Sequence, residues 1–150
     1  MRLTQFSDFA LRALIYLAVR DEPASLRQIA AAYAISHNHL VKVVGLLQRA
    51  GFVETRRGPG GGVTLARRPE AINLGDVVRA AEPDFALVPC MEGGAGGCRI
   101  AGLCALTGVL DDARDAFLAE ISRHTLADVT HNRGALARRL TPPAKAQAAL

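Results

Sequence analysis

Residues 25–66 read SLRQIAAAYAISHNHLVKVVGLLQRAGFVETRRGPGGGVTLA, and this stretch decides the fold. Ser25 is a favourable N-cap for a short helix from Leu26 to Tyr33. Ser36 is a second N-cap, for a helix through about Arg49 whose apolar residues recur at helical spacing. The stretch therefore predicts two consecutive helices separated by a short turn.

The hydrophobic period then changes from helical spacing to alternation. After Gly51, residues 52–56 and 62–66 alternate as two strands do, and the turn-rich residues 57–61 separate them. Two helices followed by a β-hairpin are the order of a winged helix-turn-helix, whose second helix enters the major groove of DNA. We therefore predict a mainly α protein with a small β-hairpin, built as a winged helix-turn-helix DNA-binding domain plus a long dimerisation helix.

Flanking patterns extend this core in both directions. Thr4 can cap a first helix to about Val19, and residues 74–81 suit a short fourth helix. A long helix is predicted from Leu103 to His124, with a 3-4-3-4 apolar seam typical of helices that pair; its members are Leu103, Leu106, Leu110, Ala113 and Phe117. The predicted organisation is a winged helix-turn-helix domain at 1–82, a cysteine-bearing loop at 83–104, a dimerisation helix with a short following helix at 103–131, and a frayed tail at 132–150.

Charge is distributed unevenly along the 150 residues, whose net charge is +4. Residues 1–68 hold ten Lys/Arg and four Asp/Glu, a net of +6, whereas residues 69–150 have a net of −2. A basic first half fits a module that binds a polyanion, although chance surface charge is an alternative. Neither a targeting segment nor a membrane span is evident, so we expect a cytoplasmic protein with reduced thiols.

Candidate DNA contacts lie at the start of the second helix of the pair and at the hairpin tip. Asn is suited to bidentate contact with adenine, and a helix N-terminus suits a phosphate. Glycines beside arginines let the hairpin approach a narrow minor groove. Each residue taken alone could instead be an ordinary exposed or capping residue. The candidates are Ser36, His37, Asn38, His39, Lys42, Arg56 and Arg57.

Three cysteines, Cys90, Cys98 and Cys104, have the spacing C-x7-C-x5-C and surround a glycine-rich loop at 91–97. Structural zinc sites commonly use closer pairs, whereas iron–sulfur clusters accept thiolates from wider loops. Cys104 lies at the first turn of the long helix, where the helix dipole stabilises a thiolate. Three inert cysteines and a zinc site remain alternatives. Nucleotide-binding glycine motifs are incomplete, because Val63 and Arg99 stand where glycine is required.

Several stretches together resemble the Rrf-type iron–sulfur transcription regulators, over about residues 1–131. Within that family the likeness is strongest to the nitric-oxide-sensing repressors. The matching stretches are MRLT at 1–4, DFALRAL at 8–14, ISHNHLVK at 35–42, RGPGGG at 57–62, INLGDVV at 72–78, HTLADV at 124–129, and the three cysteines.

The resemblance implies a homodimer with crossed long helices and one iron–sulfur cluster per subunit, 4Fe-4S in preference to 2Fe-2S. It implies that Cys90, Cys98 and Cys104 hold the cluster and that Asp8 supplies a fourth ligand from the partner subunit. It also implies repression at a palindromic operator, with release of the DNA when nitric oxide attacks the cluster. The first cysteine gap is seven residues where five is usual. Thr107 stands where the cluster-assembly branch has a ligand histidine.

Other functions stay open at this stage. Asp8 could simply form a surface i,i+4 ion pair with Arg12. The chain could be an iron–sulfur carrier or electron-transfer protein, or a zinc-stabilised winged-helix repressor. A thiol enzyme is disfavoured, because no His or Asp is placed by a recognisable pattern to activate Cys104. We therefore expect a regulator and not an enzyme.

Overall fold

The computed structural model describes residues 2–91 and 98–141. Within these ranges the chain is mainly helical with one antiparallel hairpin, which confirms the predicted fold class. None of the described helices is long and apolar enough to cross a membrane. The elements are α1 (Gln5–Ala18), α2 (Leu26–Tyr33), α3 (His37–Arg49), β1 (Val53–Arg56), β2 (Gly62–Leu65), α4 (Leu74–Ala81), α5 (Ala105–Ile121), α6 (Leu126–Thr130) and α7 (Arg133–Leu140).

Helix α1 is the centre of the hydrophobic core. Its residues Ala10, Ala13, Leu14 and Tyr16 are fully buried, and it packs against α3, α4 and α6. Thr4 begins the helix as predicted, because its hydroxyl oxygen accepts a hydrogen bond from the amide of Ser7. Burying the apolar stripe of α1 is the main reason that the surrounding helices assemble around it.

The helix-turn-helix pair has the bounds that its capping residues predict. Ser25 and Gln28 form a reciprocal capping box at the start of α2. Ala34 then adopts a left-handed conformation with φ of 53°, which turns the chain toward α3. Leu40, Val43, Val44 and Leu47 bury the inner face of α3, as the helical spacing predicts.

The hairpin is fixed to the core at its base. β1 and β2 pair from Val53 with Leu65 to Arg56 with Gly62. On its other edge, Val63 exchanges two backbone hydrogen bonds with Ala24, in the connection between α1 and α2. The backbone of Ala24 approaches Gly62 so closely that an added Cβ would lie 2.9 Å from the Ala24 oxygen. The base of the wing is therefore fixed to the connection that leads into α2.

Helix α5 joins the rest of the molecule mainly through its C-terminal end. Asn73 caps α4, and its side-chain amide donates to the carbonyl oxygen of Ser122 at 2.6 Å. The Ser122 hydroxyl accepts a hydrogen bond from Arg79 at 3.0 Å. The Ser122 side chain also lies so close to Gly75 that a Cβ added to this glycine would clash with it. No residue of α5 is buried. The long helix therefore extends from this joint with much of its surface exposed.

The end of the chain differs from the expectation of a frayed tail. Residues 133–140 form α7, and Asn132 caps this helix. Arg133 of α7 forms an ion pair with Asp21, with 2.9 Å between the nitrogen and oxygen atoms. Leu140 is buried in the same core as α1, and so is Leu126 of α6. The Ala/Arg-rich composition gives no sign of this helix, because one or two apolar side chains are enough to dock a short helix on the core. The remainder of the expected tail, 142–150, lies outside the described residues.

Candidate nucleic-acid interface and thiol segment

The first turn of α3 presents a polar, accessible surface. Ser36, His37 and Asn38 are all exposed, and Ser36 makes no capping hydrogen bond with its side chain. Its hydroxyl and the first amides of α3 can therefore meet a phosphate. Lys42 is exposed one turn after Asn38 and adds positive charge to the same outward face.

His39 is exposed but lies on a different flank of α3. Its ring centroid is 6.3 Å from that of Phe9 on α1, with an angle of 35° between the planes. This contact gives His39 a packing role between α1 and α3. Of the five polar residues predicted on α3, it is the one whose position is already explained without DNA.

The wing presents its two arginines beside a tight turn. Arg56 and Arg57 are exposed, and within residues 2–91 and 98–141 neither forms an ion pair. Gly58 and Gly60 have φ of 94° and 75°, which favours glycine at both positions. The hydroxyl of Thr55 on β1 donates to the side chain of Gln48 on α3 at 3.1 Å. The wing and α3 therefore form one continuous surface.

The structure adds residues to this surface that the sequence interpretation omitted. Arg27 of α2 is exposed, and with Ile35 and His37 it lines a shallow groove between α2 and α3. The first helix of such a pair crosses the DNA backbone, so its exposed arginine was a signal available in the sequence. Val41 and Gly45 on the outer side of α3 were also omitted.

The three cysteines lie on the segment between α4 and α5. Cys90 is half-buried in a short 3-10 turn at Pro89–Met91, Cys98 is exposed, and Cys104 is half-buried as the N-cap of α5. All three are free thiols. The intervening residues 92–97, which include most of the predicted glycine-rich loop, lie outside the described residues.

Cys104 is predisposed to act as a thiolate. The backbone amides of Leu106 and Thr107, in the first turn of α5, lower the pKa of the Cys104 thiol, and the Thr107 hydroxyl adds to the effect. A thiolate is the form that ligates metals, so the helix start prepares one donor. Thr107, which stands where the cluster-assembly branch has a histidine, therefore contacts the Cys104 thiol in this structure.

The donor chemistry of the segment fits iron. Three free thiols on one accessible segment are the ligand type that iron–sulfur clusters use, and none of them is needed to fill the core. In residues 2–91 and 98–141, no three His, Cys, Asp or Glu side chains converge as ligands of one ion. The fit therefore rests on the kind of donors and their common segment.

Asp8 lies on the exposed side of α1 and is engaged within its own chain. Its carboxylate accepts a hydrogen bond from Arg12 Nε at 2.8 Å, which is the i,i+4 ion pair expected as the alternative to a ligand role. The carboxylate side chain is 42% exposed. The Arg12 guanidinium also lies 5.8 Å from the ring centroid of Tyr33, at the end of α2. The Asp8 carboxylate is thus accessible, and Arg12 connects it to Tyr33 of the helix-turn-helix pair.

Together the exposed polar start of α3, the wing and the basic outer surface define a winged helix-turn-helix transcriptional regulator that binds DNA. Comparison with known proteins makes this more specific. Residues 3–132 match the Rrf2 family, described as iron-dependent transcriptional regulators. The chain belongs to the Rrf2 family, and the resemblance noted in the sequence is confirmed. Its relatives are regulators of transcription and not enzymes.

Within the family the chain is similar to NsrR. It is 44% identical over 135 residues to the HTH-type transcriptional regulator NsrR of Bacillus subtilis, covering 89% of this chain and 92% of that protein. Among solved structures, CymR, the global cysteine regulator of B. subtilis, is 28% identical with a TM-score of 0.69, over 88% and 98% of the two chains. T. potens IscR shares the fold at 24% identity and a TM-score of 0.70, over 88% of each chain.

Proposed function

We propose that the protein is a homodimeric repressor that senses nitric oxide through an iron–sulfur cluster and releases a palindromic operator in response. The observation that supports this most directly is the position of the three free thiols. They occupy the segment that connects the DNA-binding helices to α5, and the thiol nearest α5 has a lowered pKa. The similarity to NsrR supports the nitric oxide signal.

A second copy of the chain is the partner that α5 fits. Leu103 is 91% exposed and Leu106 is 59% exposed, although both belong to the predicted apolar seam. Leu110 and Phe117 of that seam are half-buried, and Ala113 is exposed. Helices with such a seam are stabilised by pairing with another helix, because pairing removes the apolar side chains from water. Two antiparallel copies of α5 would set two α3 helices at two half-sites.

Cys90, Cys98 and Cys104 would hold the cluster, in which iron supplies the reactivity toward nitric oxide. A 4Fe-4S cluster needs one ligand more than these thiolates provide. Asp8 of a second subunit is our candidate, because its carboxylate is accessible and is a harder ligand than a thiolate. Asp8 then has two alternative partners, the iron site of the other subunit and Arg12 of its own chain.

The residues around Asp8 offer a path from the sensor to the DNA-reading helices. Arg12 can release or hold the Asp8 carboxylate while its guanidinium stays over Tyr33 of α2. Phe9, the residue after Asp8, packs against His39 of α3. A displacement of α1 at Asp8 would therefore shift both helices of the helix-turn-helix pair. The two states must differ in DNA affinity by a few kcal/mol for a useful response.

Anaerobic purification of the full chain tests the proposal. We expect a brown protein with iron and acid-labile sulfide, a dimeric mass in solution, and operator binding that nitric oxide titration abolishes in a promoter shift assay. The zinc-stabilised alternative predicts a colourless protein that contains zinc. An iron–sulfur carrier would be brown but would protect no promoter. A colourless, sulfide-free preparation whose DNA binding ignores nitric oxide contradicts the proposal.

The substitution Asp8→Ala tests the fourth ligand. We expect DNA release at a several-fold lower dose of nitric oxide, because the iron site loses its carboxylate and becomes more accessible. The lost ion pair with Arg12 should cost only about 0.3–0.5 kcal/mol of folding free energy. The measurement is a nitric oxide titration followed by absorbance and by DNA binding in parallel.

Asp21→Ala is the matched control for this experiment. Asp21 also accepts from an arginine, Arg133, at 2.9 Å, but at the opposite end of α1 from Asp8. If Asp8→Ala and Asp21→Ala both release DNA at the dose of the parent chain, Asp8 is only a surface ion-pair residue.

A further inference from the structure

Val41 is an apolar side chain on a surface that is otherwise suited to DNA. It is 46% exposed, whereas the apolar residues around it on α3 are buried; they are Leu40, Val43, Val44 and Leu47. It follows Asn38 by three residues and precedes Lys42, so all three lie on the outward side of the helix. The core therefore does not explain a branched apolar residue at this position.

Gly45 lies one turn after Val41, in the middle of α3. Glycine is among the least favourable residues in a helix interior, because its backbone loses the most freedom on folding. An added Cβ at Gly45 would meet only the far end of the Arg49 side chain, at 3.6 Å. Packing within the chain therefore leaves room for alanine, and the missing side chain points to a close approach from outside.

The position of both residues relative to the wing identifies what approaches. His37, Val41, Gly45 and Gln48 follow one another at four-, four- and three-residue spacing, which places them along one stripe of α3. At one end His37 borders the groove with α2, and at the other Gln48 is hydrogen-bonded to Thr55 of the wing. The stripe thus lies between the two parts of the fold that flank bound DNA.

We propose that Val41 contacts the 5-methyl group of a thymine in the major groove, and that Gly45 lets α3 approach the same groove closely. Among the groups that base pairs present in the major groove, the thymine methyl is the one that an apolar side chain recognises. Val41 has no hydrogen-bonding group, so it selects by apolar contact beside the polar contacts of Asn38 and Lys42. This inference rests on the proposed role of α3 as the DNA-reading helix.

Replacement of single thymines by uracil tests the methyl contact, because uracil lacks only that methyl group. The probe is a duplex selected by the full-length protein from a randomised DNA library. We expect one thymine in each half-site at which uracil weakens binding about fourfold, the ratio given by burial of one methyl-sized group. In Val41→Ala the effect of uracil at that position should be much smaller, because the shorter side chain lies farther from the methyl group.

Val129→Ala is the matched control, since Val129 is 41% exposed on α6 and belongs to no part of this surface. It should keep the uracil sensitivity of the parent chain. If Val41→Ala keeps that sensitivity as well, Val41 does not contact a thymine methyl. The readout is DNA binding by the anaerobically purified protein without nitric oxide, so a failure of the nitric oxide response leaves this result standing.

Gly45→Ala tests the close approach. We expect the melting temperature to rise by about 2–4 °C, because alanine favours the helix, while DNA affinity falls at least about tenfold, as expected when a contact is lost in both half-sites. Gly134→Ala in α7 is closely matched, since an added Cβ there would also meet only an arginine four residues on, at 3.6 Å. It should gain stability and keep full affinity. Unchanged affinity in Gly45→Ala would overturn this part of the inference.

Discussion

The substitution Cys98→Ala is expected to yield a folded, colourless protein that binds its operator at least about tenfold more weakly than the parent, even without nitric oxide. Cys98 is exposed, so its thiol contributes nothing to the core and its removal leaves the fold intact. The loss of DNA affinity follows because two thiolates are too few to hold the cluster. The measurements are iron and sulfide analysis, thermal unfolding, and fluorescence anisotropy with labelled operator.

Arg99→Ala is the control for a substitution in the same segment. Arg99 is exposed next to Cys98, and its replacement removes a charge without removing a thiol. It should remain brown, keep its iron and respond to nitric oxide; a small, salt-dependent loss of DNA affinity is the most that a single charge should cause. Tight operator binding by iron-free Cys98→Ala would contradict a cluster-dependent grip on DNA.

Elements whose ends are set by local chemistry could be predicted from the sequence to the residue. Helices α2 and α4 have the predicted bounds because Ser25 and Asn73 cap them through their own neighbours. The hairpin is shorter than predicted by one residue in each strand. These features depend on interactions between residues close together in the chain.

Two other features could not be predicted in this way, one set by a single backbone conformation and the other by distant parts of the chain. The long helix begins at Ala105 and not at Leu103, because Gly102 adopts φ of 81° and Cys104 becomes the N-cap. Helix α7 depends on contacts of Leu140 with a core formed more than a hundred residues earlier. Nothing in the local pattern of the Ala/Arg-rich tail signals that docking.

The candidate site likewise contains some residues that the local sequence predicts and others that only the structure identifies. The sequence pattern was enough to propose contacts for five of the residues, because it places them in the first turns of the second helix and at the tip of the hairpin; they are Ser36, Asn38, Lys42, Arg56 and Arg57. Val41 and Gly45 gain meaning only when the structure shows one exposed and the other free of packing partners. The proposed cluster ligands come from a segment that includes residues 92–97, outside the described residues, and from a proposed second subunit, so neither the sequence pattern nor the geometry of one chain defines their arrangement.

The substitution Leu126→Ala is expected to destabilise the protein by about 2–5 kcal/mol, because it removes a fully buried side chain from the core and leaves a cavity. The backbone of Leu126 would still donate to the carbonyl of Ile72, at 2.8 Å in this structure, so the loss reflects side-chain packing. Such a loss is a large fraction of the stability of a typical domain. Urea unfolding of parent and variant at one protein concentration measures it.

Val129→Ala is the control that distinguishes the loss of a buried side chain from the effect of any substitution on α6. Val129 is on the same short helix but is 41% exposed, so its truncation should change the free energy of unfolding by less than about 0.5 kcal/mol. A large difference between the two variants means that α6 and α1 share one core, so the residues after α5 stabilise the DNA-binding helices. Equal, small losses would mean instead that residues 2–82 fold without α6. In the first case α6 holds the C-terminal end of the helix that we propose to pair two subunits against the DNA-binding helices. Under the proposed function, a displacement at the thiol segment would then move α5 against a core that α6 anchors, and would alter the spacing of two α3 helices on DNA.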